Sequence, residues 1–281
     1  LEDEASPASL EVDEITGGLE AVISREVMDR IESDTAPDDF SGITVLATVR
    51  SGESRMVVNS VPGAPASQVG LISQSGQAEV SVRNSVFDYK VASTGAEGSF
   101  ARDGMDPVSF SVGPVTAEFS VPLQDIEQAP FSFGYGVEDV VLSDSGWSLL
   151  DPAGVIPRTP ASVILRMTGV FSDNGPSGEP VGLSSVDVSD FTVKFGGMDL
   201  SAKGGMVMAA DGVTPESGNS EVTVSGLQAF LEAVEPIVPA DALNGVRMGI
   251  AMMFVEDGED RLVSKTEIRD SEVYVNGQRF R

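Results

Sequence analysis

The sequence predicts an α+β protein dominated by β-structure, in which a large, curved antiparallel sheet forms a meander and a few helices flank it. Three observations predict this fold. Apolar and polar residues alternate over many short stretches, which is typical of strands with one buried face. The gaps between these stretches are mostly too short for a crossover helix, so neighbouring strands are expected to run antiparallel. Only two segments show clear helical spacing of apolar residues.

The first element is predicted to be a helix over residues 19–32, because Leu19, Val22, Ile23, Val27 and Ile31 recur at helical spacing. Two glycines precede this segment and a turn-rich stretch follows it. The surroundings are acidic, since residues 1–39 carry thirteen acidic side chains and two arginines. We therefore predict an acidic N-terminal segment over 1–40 with one helix. A β-rich domain over 41–281 follows, and its parts 41–145 and 146–281 could be halves of one sheet.

From residue 43 the apolar pattern has a period of two, which predicts a series of strands. They cover 43–49, 56–61, the alternating stretch 78–91, 108–112, 115–121, 131–135, 137–142, 163–171, 186–188, 191–195, 198–200, 206–209 and 221–224. A hairpin is predicted across Ser51 and Gly52, and a further turn at Gly113 and Pro114. Between 115 and 121 the odd-numbered residues are apolar and the even-numbered ones polar, which favours a sheet with one wet face.

The other elements interrupt or close this series. An irregular block is predicted over 144–162 and a loop over 172–180, where turn residues are densest. A second helix is expected from Leu227 to about Ile237, with one or two helical turns after Pro239 on a face rich in methionine. Strands over 262–268 and 273–280 end the chain, and Asn276 with Gly277 favours a hairpin turn between short strands.

The charge balance excludes several classes of partner. Lys and Arg number 17 and Asp and Glu number 44, which gives a net charge of −27. Such a chain repels nucleic acid and anionic membrane surfaces. No apolar run approaches the ~20 residues that a membrane-spanning helix needs. The oligomeric state stays open.

The residue types that most often perform catalysis are missing. The 281 residues include no histidine and no cysteine, which removes the usual general base, the thiol nucleophile and the commonest metal ligands. No nucleophile elbow, phosphate loop or dinucleotide fingerprint occurs. We predict a protein that is not an enzyme, with no catalytic, cofactor-binding or metal-binding residues. Calcium stays open at the oxygen-rich segments 172–179 and 256–260, although ordinary turns are the favoured interpretation.

The apolar sides of the central strands suggest a binding surface. Eight side chains need cover there: Val108, Phe110, Val112, Phe119, Val121, Phe131, Phe133 and Tyr135. Two short helices are a small lid for a sheet of this size, so an apolar groove is predicted, with Phe110, Phe119, Phe131, Phe133 and Tyr135 as its lining. Large uncovered apolar surfaces usually mark binding sites. The alternative is a second sheet that packs on these strands as in a sandwich.

A structural latch is predicted around Trp147, Asp151 and Arg158. Pro157 and Pro160 stiffen this part of the chain, and the indole of Trp147 requires a buried environment. Arg158 is expected to pair with a carboxylate or with loop carbonyls, and Asp151 is the nearest candidate by sequence.

The same block resembles an uncharacterised family of alphaproteobacterial envelope proteins, the domain of unknown function 2125. The resemblance rests on Trp147, Asp151, Pro152, Pro157, Arg158, Pro160, Ala161 and Gly169, and on a closing motif formed by Asn276, Gly277, Gln278 and Arg279. It covers roughly residues 108–281. More distantly, the chain is similar to AsmA-like envelope proteins, whose curved sheets shield lipid. The resemblance implies a periplasmic or secreted protein without assigned activity.

Together these observations lead to an expected function. The chain is predicted to be a non-enzymatic bacterial cell-envelope protein, periplasmic or extracellular, that is structural or handles lipid through an apolar sheet groove. Its expected partners are lipid or another envelope protein. The alternative is an extracellular assembly or interaction subunit, of the filament or surface-layer type, that could depend on calcium.

Overall fold

The computed structural model describes residues 8–32, 42–59, 67–123, 128–172, 182–212 and 214–280. These residues form a β-dominated α+β fold, which confirms the predicted fold class. The strands are β1 Ala8–Val12, β2 Ile15–Ile23, β3 Ile43–Ser51, β4 Ser54–Asn59, β5 Ser67–Ser73, β6 Gly76–Arg83, β7 Val86–Ser93, β8 Ala96–Arg102, β9 Val108–Val112, β10 Val115–Pro122, β11 Pro130–Leu142, β12 Ala161–Ser172, β13 Gly182–Phe195, β14 Met198–Met208, β15 Pro215–Ser225, β16 Val255–Glu256, β17 Arg261–Arg269, β18 Glu272–Val275 and β19 Gln278–Arg279. The helices are α1 Arg25–Glu32, α2 Asp144–Leu150, α3 Leu227–Val234 and α4 Ala240–Met253.

The described strands form one antiparallel meander. Ten of the first eleven strands make five long arms of two strands in line: β1–β2, β3–β4, β5–β6, β7–β8 and β9–β10. Each arm pairs along both of its halves with the next arm, and β11 completes this part of the sheet. From β11 the order continues through β12, β13, β14 and β15 to β17 and β18. We call β1, β4, β5, β8 and β9 the flap and the other paired strands the main sheet.

A break of two residues in each arm separates the flap from the main sheet. Backbone pairing continues at these breaks: Gly52 N–H donates to the carbonyl of Glu14 at 2.9 Å, and Gly113 N–H donates to that of Glu138 at 2.9 Å. The predicted hairpin across Ser51 and Gly52 is therefore wrong, as is the turn at Gly113 and Pro114. Glycine and proline at these positions interrupt an arm without reversing it, because both halves of the arm find partners on the neighbouring arms.

The predicted first helix is wrong over its first half. Leu19 and Ile23 lie in β2, opposite Ala47 and Ile43 of β3, and the helix begins only at Arg25. The apolar residues at 15, 19 and 23 fit a strand as well as a helix, and the ladder to β3 decides in favour of the strand. Part of the predicted N-terminal segment thus belongs to the sheet. The turn-rich stretch after α1 lies outside the described residues.

The C-terminal half differs from the prediction in its helices. The irregular block begins with α2, whose N-cap Ser143 accepts a hydrogen bond from the N–H of Gly146. The predicted helix from Leu227 is confirmed as α3, and the expected helical turns after Pro239 form α4, a helix of 14 residues. None of the described helices has the length and hydrophobicity that crossing a membrane requires.

The helices α2, α3 and α4 cluster at one end of the main sheet and form a small core there, whereas α1 follows β2 at the opposite end. Trp147, Ile156, Leu231, Val234 and Leu243 are buried in it. Phe195 from the end of β13 and Leu142 from the end of β11 pack against this cluster. The apolar cover that the helices provide is therefore concentrated at the strand ends and does not extend along the sheet.

Candidate functional site: the apolar face of the main sheet

Strand register sorts the side chains of the main sheet into an apolar face and a polar face. Residues that lie directly opposite each other on neighbouring strands project from the same side. One row across the sheet joins Ala47, Val80, Tyr89, Phe119, Phe133, Met167 and Val188. The row beside it joins Val49, Ala78, Val91, Ala117, Tyr135, Leu165 and Phe191. We call this side the apolar face.

Much of the apolar face is open to solvent. Tyr89 is 38% exposed, Tyr135 is 41% exposed and Met206 is 40% exposed, although all three lie in the interior of strands. None of these three side chains belongs to the core that α2, α3 and α4 form at one end of the sheet.

The structure brings four of the five predicted groove residues together. Phe119 and Phe133 are direct cross-strand neighbours, and Tyr135 lies two residues further along β11. Phe131 is buried on the same face, where its ring contacts that of Phe171 at a centroid distance of 4.5 Å. Phe110 lies apart on the flap, opposite Leu142 and over Gly98, and is 38% exposed. Val108 and Val112 lie on the same strand as Phe110, and Val121 lies opposite Phe87 of β7.

The polar face of the main sheet holds a depression of about 1200 Å³. It is lined by residues of two neighbouring polar-face rows and by residues of the apolar-face row that lies between them. The first of these rows is Ser120, Ser132, Thr168, Asp187, Gly205, Asn219 and Glu267. Short side chains leave this space. Of the four predicted groove residues on the main sheet, Tyr135 is exposed and Phe131 is buried, and only Phe131 borders this depression.

Ion pairs on the polar face join side chains of neighbouring strands. Glu221 of β15 lies between Lys203 of β14 at 3.4 Å and Lys265 of β17 at 3.5 Å. Its hydrogen bond and attraction to Lys203, and secondarily to Lys265, hold the pKa of Glu221 below its ordinary value. Arg269 donates to Glu267, which lowers the pKa of that carboxyl and raises that of the guanidinium. These cationic side chains form ion pairs with acids of the same chain. Such a charged surface is suited to contact with water.

Trp147 and Asp151 of the predicted latch are buried, and Arg158 pairs with a carboxylate as expected, although its partner is not Asp151. The indole is 5% exposed and lies 6.3 Å from the ring of Phe195, nearly parallel to it. Asp151 is 2% exposed and accepts a hydrogen bond from the N–H of Ile156 at 2.6 Å. Arg158 does not pair with Asp151. It donates to Asp144 at 2.6 Å, because the chain returns from the proline block to the exposed start of α2.

The structure describes one of the two segments at which calcium binding stayed open, and only the first residue of the other. Residues 256–260 form the turn between β16 and β17, where Asp257 N–H donates to the carbonyl of Arg261 at 2.9 Å and the two side chains pair at 3.7 Å. Segment 172–179 lies outside the described residues except for Ser172 at the end of β12. Within the described parts of the chain, no group of three or more acidic side chains is arranged to hold a metal ion.

Sequence reasoning missed β2, which forms an edge of the sheet among the described residues. All nine residues of β2 are exposed, and Leu19 retains 75% of its accessible surface. The alternation of Ile15, Leu19 and Ile23 was a signal for a strand there, but it competed with helical spacing. Comparisons with family models, with curated proteins and with solved structures find no match to this chain.

Proposed function

We propose that this protein is a non-enzymatic component of the bacterial cell envelope that holds the acyl chains of lipids on its apolar face. The observation that supports this proposal is the continuous apolar surface that crosses the main sheet and remains partly exposed away from the helices. Exposed apolar surfaces of this extent are unfavourable in water and usually mark a binding partner. Acyl chains suit the surface because it presents aliphatic and aromatic side chains in successive rows.

The dimensions of the surface favour several acyl chains over one. Strands lie about 4.8 Å apart, so the seven strands from β3 to β13 that share the row of Phe119 span about 30 Å. The polar face, with ion pairs such as Arg166 to Asp190 at 3.6 Å, keeps the opposite side in water. With a net charge of −27, attraction to anionic headgroups is not the source of affinity. Apolar contact must supply it. We place the protein in the periplasm or the extracellular space as part of this proposal, in agreement with its resemblance to a family of envelope proteins.

Lipid binding to the purified protein tests this function. The probe is phosphatidylethanolamine with a fluorescent acyl chain, and native mass spectrometry of the same preparation detects co-purified lipid. Tyr135→Lys places a charge on the apolar face and is expected to reduce probe binding. Thr116→Lys adds the same charge on the polar face of the adjacent strand and is expected to leave binding unchanged.

The outcome separates lipid binding from the assembly alternative. Equal probe binding by the two variants would contradict a site on the apolar face. Lipid-free ordered oligomers, with no binding of the probe, would favour an assembly or interaction subunit whose apolar face is covered by other protein chains.

A further inference from the structure

The free edge of the sheet is formed by the first arm, β1 and β2. Among the described residues these strands pair only with β4 and β3. A long unpaired edge leaves a row of N–H and C=O groups available to another strand. Most of its large apolar side chains are exposed, with Leu10 and Ile15 at 68% and Val22 at 56%. This edge borders the apolar face proposed to hold lipid, because Leu19 lies opposite Ala47 of its first row, but the backbone groups of the edge are a separate binding feature.

Hydrogen bonds at both ends of β2 reveal which backbone groups are free. Ser24 N–H donates to the carbonyl of Gly42 at 2.8 Å, and Gly52 N–H donates to that of Glu14 at 2.9 Å. In an antiparallel ladder the residues of one strand alternate between bonding to one neighbour and bonding to the other. The even-numbered residues of β2 therefore bond to β3. The odd-numbered residues, from Ile15 to Ile23, direct their N–H and C=O groups outward.

From this pattern we infer that β2 pairs antiparallel with β2 of a second copy of the chain, with Leu19 on the two-fold axis. In this register Ile15 faces Ile23 of the second copy, and Gly17 faces Ala21. Every outward-directed residue meets another outward-directed residue, which allows about ten backbone hydrogen bonds. The same parity keeps the apolar faces of the two sheets on one side, so they become one continuous face.

Charge disfavours one of the two neighbouring registers. Glu20 faces Gly18 of the second copy, so no two acids of β2 lie directly opposite, whereas moving the two-fold axis from Leu19 to Glu20 would place Glu20 against its equivalent. At either end of the paired strands, Glu14 faces Ser24, next to Arg25. Arg25 makes no ion pair within the described part of the chain, and Asp13 and Glu14 make none there either. Opposite charges at both ends favour a second copy even though the whole chain is acidic.

A cysteine cross-link tests this pairing directly, because the natural chain contains no cysteine. Leu19→Cys places two thiols opposite each other with Cα atoms about 5.5 Å apart, which is within disulfide range. Val22→Cys is the matched control on the same strand. Its residue faces Thr16 of the second copy, so the two control thiols lie about 20 Å apart. Both side chains are exposed, so both variants are expected to fold.

We expect Leu19→Cys to form a disulfide-linked dimer at least about tenfold faster than Val22→Cys under mild oxidation at micromolar protein. Equal rates for the two variants, or no linked dimer from either, would overturn the pairing. A second measurement uses Ala21→Pro, which removes one outward N–H and leaves the bonds to β3 intact. Sedimentation is expected to show a dimer for the natural chain and for Ala21→Ser, and a monomer for Ala21→Pro. A dimer that persists in Ala21→Pro would also overturn it.

Discussion

Replacement of Trp147 by alanine should remove a large part of the stability of this protein. The indole is 5% exposed and lies in the small core formed by α2, α3 and α4, against Phe195. A buried tryptophan hides about 150–250 Å² of surface, which corresponds to roughly 4–6 kcal/mol at 25 cal/mol per Å². That value is an upper bound, and measured truncations of buried aromatic residues cost about 3–5 kcal/mol. We expect a loss of the free energy of unfolding in this range.

The assay is urea denaturation followed by far-ultraviolet circular dichroism. Fluorescence is unsuitable because Trp147 is the only tryptophan. Leu149→Ala serves as the control in the same helix, since Leu149 is 59% exposed and its truncation should change the free energy of unfolding by less than about 0.5 kcal/mol. Arg158→Ala should cost less than about 1 kcal/mol, because its ion pair with Asp144 is exposed. A loss below about 1 kcal/mol for Trp147→Ala would refute the argument that this residue closes the core.

Two further predictions concern backbone space and acid titration. Gly204→Ala should destabilise the protein by about 2 kcal/mol or more in the same urea assay, because Gly204 has a φ of 150° and an added Cβ would lie 2.2 Å from the carbonyl oxygen of Asn219. Gly249→Ala in α4 is its counterpart: no atom lies within 4 Å of the added Cβ, so a gain of up to about 1 kcal/mol is expected, and equal losses in both variants would contradict this reasoning. Lys203→Met should raise the pKa of Glu221 towards its ordinary value, as measured by NMR titration of the side-chain carboxyl. Because the pKa of Glu221 is lower in the folded state, the stabilisation from this carboxylate is present above the unfolded-state pKa and is lost as the pH falls through the folded-state pKa. An unchanged pKa of Glu221 in Lys203→Met would show that Lys203 is not the main partner of Glu221.

Local sequence patterns were sufficient to predict most strands and the class of the fold. In β10 the alternation of Val115, Ala117 and Phe119 with polar residues specifies a one-faced strand, because successive side chains of an extended chain point to opposite sides. The same rule placed Phe119, Phe133 and Tyr135 on the face now proposed to bind lipid. The buried position of Trp147 also followed from its residue type and surroundings.

Tertiary pairing decided what the local patterns left ambiguous. Leu19 to Ile23 satisfy both helical and strand spacing, and the ladder to β3 selects the strand. Gly52 and Gly113 signal a change of direction, but whether the chain reverses or only bends depends on the arms beside them. Arg158 pairs with Asp144 because folding brings residues fourteen positions apart together, in preference to the nearer Asp151. The free edge at β2 is likewise a property of the assembled sheet, since a strand is an edge only when no further strand lies beside it.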